Sequence, residues 1–253
     1  MVVDLQKAGL WKRMAAWLLD TILTCVLAVG FAFSLSILLG YDGYNRQLEA
    51  QYSRYETQYG VVFDIGQDAY EAMTQEEKDN YDTAYNALIA DDEVLYTYNM
   101  VLNLSLLITT LSILLGILLA EFAVPLLLKN GQTVGKKCFS LGLMRTDGVK
   151  INTLQLFART VLGKYTIGTM IPVYIVLMLF WGSMDATGTL LLGALAIGQM
   201  VCMGVTRNNS AIHDLLAGTV VVDITSQQIF ATTEELIAYT KRVHADRAAR
   251  QDY

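Results

Sequence analysis

Residues 21–40 read TILTCVLAVGFAFSLSILLG, twenty positions without a charged side chain. A helix rises about 1.5 Å per residue, so a run of this length covers the roughly 30 Å hydrocarbon layer of a bilayer. Three more uncharged apolar runs follow at 94–120, 165–184 and 186–206, and the same arithmetic predicts four transmembrane helices. Hydrophobic residues make up 54% of the chain, which leaves little polar sequence for a separate soluble core. The expected fold class is an all-α membrane protein. The first run extends past the roughly 7–15 apolar residues of a signal peptide and Asp20 interrupts its start, so it is expected to stay as a span.

The charges are segregated. Between 41 and 96 stand thirteen acids against three bases, Arg46, Arg54 and Lys78. Other bases lie elsewhere: Lys7, Lys12 and Arg13 precede the first run, Lys129, Lys136, Lys137, Arg145, Lys150, Arg159 and Lys164 lie between the second and third, and Arg207 follows the fourth, ahead of four more in the tail. Because cytoplasmic loops carry the Lys/Arg excess, both termini and 129–164 are expected in the cytoplasm of a cell-membrane protein, with 41–96 outside. The net charge of −6 and the acidic loop offer nothing to a polyanion, so no nucleic-acid partner is expected. Cys25, Cys138 and Cys202 have no metal-ligand spacing and none lies in the outer loop, so neither metal, cofactor nor disulfide is expected there.

Within 41–96, Tyr52, Tyr55 and Tyr59 follow a helical period and Thr74 with Glu77 makes a capping-box pattern, predicting two short helices. The acids there read as a solvated face or as an outer vestibule that gathers cations. Asp91, Asp92 and Glu93 match the positive end of the second membrane helix. Further on, Asp147-Gly148 between the short runs 141–144 and 149–151 signals a hairpin. The β-branched run 219–224 is expected to pair with it as a small cytoplasmic sheet. Leu154, Phe157 and Val161 share one helical face apart from Arg159 and Lys164, predicting an amphipathic helix in the membrane interface. Pro172 is expected to bend the third span. Thr232 with Glu235 opens a polar helix in the tail, 225–253.

A charge among apolar residues demands a partner, since placing one near a membrane-helix centre costs roughly 2.5–3.5 kcal/mol on insertion scales. Arg13 and Asp20 lie seven residues apart and project from nearly one helix face. Either Arg13 snorkels to the headgroups while Asp20 takes a structural hydrogen bond, or both line a polar track between helices. Glu121 closes the second span as a structural residue or a proton relay. His213 beside Asp214 is a candidate titrating switch, because imidazole changes charge near neutral pH. Asn208-Asn209-Ser210 fits a glycosylation acceptor, idle on the cytoplasmic side.

These residues carry a resemblance. Arg13, Ala16 and Asp20 fit an R-x-x-A-x-x-x-D pattern. Gln132, Thr133, Gly135 and Lys136 then fit Q-T-x-G-K, Leu141, Asp147 and Gly148 follow, and His213 through Thr219 close the series as HDLLAGT. In order and spacing the chain is similar to the RDD family of membrane proteins, over 10–39 and 98–224. Val134 stands where the family often has proline, Ser140 where it has glycine, and 41–96 is a long insertion. The resemblance implies an RDD-like membrane domain over 10–224 and a multi-pass protein sometimes linked to transport, including sodium/proton exchange.

Two functions remain open. In one, Asp20 and Asp214 bind a cation or proton, with Arg13 setting their affinity, and a homo-oligomer completes the path. In the other, Arg13, Asp20, His213 and Asp214 form a buried network that fixes the fold of an accessory membrane protein, with Glu121, Gln132 and Lys136 as secondary members. No H-E-x-x-H, G-x-S-x-G or phosphate-loop pattern is present, so no enzyme activity and no catalytic residue is expected. The partners expected are the lipid bilayer and a small cation or proton.

Overall fold

The computed structural model describes residues 8–128, 131–165, 172–176 and 212–251, together with isolated positions between 169 and 205. The third and fourth spans lie mostly outside the described residues, as do Asn208-Asn209-Ser210; around Pro172 only the helical stretch 172–176 is described. Chain contacts divide the protein into two compact units, 32–109 and the remainder.

Two helices among the described residues have the length and apolarity to cross a membrane, Leu10–Leu39 (α1) and Asp92–Leu127. The second is not uniform. It runs as an α-helix over Asp92–Ile117 (α5), as a π-helix over Leu118–Ala123 (π1), and as an α-helix again over Val124–Leu127 (α6). On α1 the outward residues are Trp17, Val26, Val29 and Phe33, whereas its buried residues are Arg13, Ala16 and Asp20. That inside-out polarity is what a lipid solvent selects: apolar groups face hydrocarbon and ionised groups turn toward protein. Gly116 lets α5 approach α1 closely, since a Cβ there would lie 3.2 Å from the Thr24 carbonyl oxygen and 3.4 Å from the Ala28 Cβ.

Between α1 and α5 stand three helices where two short ones were expected. Tyr41–Tyr59 (α2) is long, Gln67–Glu71 (α3) is a single turn, and Gln75–Ile89 (α4) follows a complete Thr74–Glu77 capping box. Phe63 gathers the rings of Tyr52, Tyr81 and Tyr85 edge-on. Asp91 accepts from Arg54 and from the Tyr55 hydroxyl, each at 2.8 Å, tying α2 to the residue just before α5. The tyrosines therefore build a small aromatic core, each keeping a polar handle.

In the other unit, Leu141–Arg145 (β1) pairs antiparallel with Thr219–Asp223 (β2), Leu143 opposite Val221. The Asp147-Gly148 turn closes with the Arg145 N–H donating to the Val149 carbonyl at 2.9 Å. Its return arm makes bridges at Val149 and Lys150 and forms no third strand. Both strands are buried through their first four residues, and Leu141, Leu143 and Val221 join Ala8, Ala16, Ile151 and Leu156 in one apolar core. Around the sheet lie Val134–Cys138 (α7), Thr153–Phe157 (α8), the π-helix Ala158–Tyr165 (π2), Ile212–Ala217 (α9) and the terminal helix Thr233–Gln251 (α10).

The segment 153–164 begins as an α-helix and widens into π geometry; Leu154, Phe157 and Leu162 are exposed, whereas Arg159 and Thr160 are buried beside Leu156.

Candidate functional site

The buried charges lie where five elements meet: α1, π1, α7, π2 and α9. Asp214, in the first turn of α9, is 1% exposed and receives two guanidiniums: Arg13 from α1 at 3.2 Å and Arg159 from π2 at 2.7 Å. Asp20, two turns further along α1, belongs to a second group. Its Oδ2 accepts the Thr133 hydroxyl at 2.5 Å, its Oδ1 accepts the Gly135 N–H at 2.7 Å, and the Lys136 ammonium stands 3.7 Å from Oδ2.

Local sequence explains the second group. Thr133 is the N-cap of α7, its hydroxyl accepting from the Lys136 N–H, which leaves the same hydroxyl free to donate to Asp20. Gly135 is required by proximity: a Cβ there would sit 2.3 Å from the Ala16 carbonyl oxygen and 2.8 Å from Asp20 Oδ1. The Q-T-x-G-K spacing is thus a capped turn pressed against a carboxylate on the first helix. Gln132 donates to the Leu141 carbonyl at 2.8 Å, anchoring the turn to β1.

Lys136 joins this group to a third. Its ammonium lies 3.8 Å from Glu121 on π1, and Glu121 also pairs closely with Lys164 of π2. Lys136 is 6% exposed. Burial lowers its pKa to about 8, against the pull of Glu121 and Asp20 and with the help of Lys164 and Arg159. Thr160 donates to the Glu121 main-chain carbonyl at 3.2 Å, a carbonyl that Pro125, having no N–H, cannot serve from the next turn.

His213 does not behave as a neutral-pH switch. Burial, reinforced by the neighbouring Arg159, pushes it down to about 3, so the ring stays uncharged through the physiological range. It packs against Gly163, where a Cβ would lie 2.4 Å from the His213 Cβ. At the surface, Lys12 reaches Asp223 of β2 at 2.7 Å. That ammonium, then Thr225 through its hydroxyl and N–H, holds the Asp223 carboxyl at about 2.

Of the residues singled out from sequence, Arg13, His213 and Asp214 therefore meet in one group, while Asp20 meets Thr133, Gly135 and Lys136 in another, with Glu121 beside it. Sequence reasoning passed over Arg159, Lys164 and Thr133 as side-chain participants. Arg159 stands apart from the apolar stripe Leu154, Phe157 and Val161, and the small residues Thr160 and Gly163 near it mark the packed side.

A helical membrane protein whose first apolar helix carries an arginine and an aspartate, both locked onto a capped turn and an HDLLAGT helix, is the class that this arrangement defines. The family model described as RDD family matches residues 7–218, and the chain belongs to that family of membrane proteins. Comparison with curated proteins and with solved structures gave no match.

Proposed function

We propose that the chain is a four-span cell-membrane protein, with both termini cytoplasmic and 153–164 lying in the interface, that exchanges a small cation for a proton. The observation that carries this reading is the Lys136 ammonium held between the carboxylates of two apolar helices, 3.7 Å from Asp20 and 3.8 Å from Glu121. An amine between two acids is already a monovalent cation in a carboxylate pair. Losing its proton leaves that pair in need of another positive charge. A second copy is expected to complete the path, since four spans are few to enclose one. The reading includes neither enzyme activity nor nucleic-acid binding.

Proteoliposomes with an internal pH dye test it: an imposed cation gradient is expected to move protons in the parent and not in Lys136→Met or Asp20→Asn. No proton movement from folded parent protein overturns it. A structural role is the competing reading, favoured by Asp20 having both oxygens satisfied and by Asp214 bearing two guanidiniums. On that reading both variants lose thermal stability and the parent shows no flux.

A further inference from the structure

We propose that π1 is a register switch that carries Glu121 into and out of its pairing with Lys136 and Lys164. A π-helix holds one residue more than the α-helix it interrupts, and such insertions concentrate at functional sites. Here α geometry lies on both sides, Asp92–Ile117 before and Val124–Leu127 after. The Val124 N–H bonds the Leu119 carbonyl five residues back. If the surplus residue is released toward the helix end at Leu128, the positions from Glu121 to Leu127 turn by about 100°, one residue of an α-helix. The Glu121 carboxylate then leaves both ammoniums.

The bonds around Glu121 suit such a movement. Pro125 cannot tie its carbonyl to the following turn, and the substitute donor is the Thr160 hydroxyl, which also reaches the Leu156 carbonyl at 2.8 Å and so has a second acceptor ready. The observed register is held by side chains: Lys164 and Lys136 on the carboxylate and Thr160 on the carbonyl. Thr160 and Lys164 come from π2, itself a π-helix. As a gate for ions the switch rests on the exchange reading above; as a movement it stands without it.

Spin labels at Leu127→Cys and Leu154→Cys, both exposed positions, report the turn in lipid nanodiscs, with Cys25, Cys138 and Cys202 replaced by serine. Two separations are expected. The second gains population in Glu121→Gln, which removes the ion pairs, and dominates in Pro125→Ala, which restores the α-type donor. One unchanged separation in all three overturns the proposal. Where the cysteine variants do not fold, amide exchange of the unaltered chain decides: residues 118–126 are expected to exchange about tenfold faster than 100–112, and equal protection overturns it. Two separations without flux sink the exchange reading alone, and flux with one fixed separation sinks the switch alone.

Discussion

At the residue scale, a buried carboxylate between two guanidiniums is expensive to remove because the guanidiniums stay behind. Asp214→Asn leaves Arg13 and Arg159 buried around a neutral amide, and the expected loss is roughly 3–5 kcal/mol, read as a lowered unfolding midpoint in detergent. An unchanged midpoint would show that those guanidiniums find other acceptors. Ser140 offers the opposite sign. Its φ of 55° lies in the left-handed region, which costs a residue with a Cβ about 1–2 kcal/mol. Ser140→Gly is expected to stabilise by about 0.5–1 kcal/mol once the added freedom of the unfolded chain is subtracted. A denaturation midpoint that falls instead would mean the hydroxyl makes a compensating contact.

At the element scale, α7 is a five-residue turn whose position is set by contact with α1. Gly135→Ala is expected to push α7 off the first helix and break the Gly135 bond to Asp20, at about 1–3 kcal/mol for the overpacking. Thermal unfolding of that variant beside Val134→Ala, an exposed neighbour, separates crowding from helix propensity; equal midpoints for the two would refute it. The Thr74–Glu77 capping box, the sheet and the spans 21–40 and 94–120 were legible because each rests on local chemistry: a threonine three residues before a glutamate, an Asp-Gly turn with a β-branched run, uncharged length. The π segments were not. Their signature is a main-chain bond to the fifth residue back, and an apolar stripe reads alike in either geometry. Arg159 was missed for a different reason. The stripe Leu154, Phe157 and Val161 marks an apolar face, but it does not say that Arg159, on the other side, turns into the protein rather than to water. Asp20 and Asp214 were legible as charges needing partners, but which partners each takes depends on how α7 and π2 fold against α1.

At the scale of the whole molecule, the buried bases set how stability depends on pH. His213 titrates near 6.5 when unfolded and at about 3 in the fold, so between those values the unfolded chain binds the extra proton and acid favours unfolding. Stability from this group rises as pH climbs from 3 to 6.5. Asp223, lowered to about 2 from 3.8, acts in the same direction at the acid end: its contribution is complete above 3.8 and is lost as pH falls toward 2. Lys136 extends the trend upward. Its pKa is about 8 in the fold against 10.5 when unfolded, so between 8 and 10.5 the unfolded chain again holds more protons and stability climbs further. Each of the two buried groups, His213 and Lys136, contributes up to about 1.4 kcal/mol per pH unit inside its window, and the screened surface pair at Asp223 contributes less. The unfolding midpoint in detergent is therefore expected to rise from pH 4 to 6.5 and again above 8. Removing the first titration, in His213→Gln, should flatten only the acid limb, and Lys136→Met only the alkaline one. A parent midpoint that falls between pH 8 and 9.5, with the Lys136→Met midpoint falling in parallel, would mean that the lysine is not held between Asp20 and Glu121 in the way the network requires.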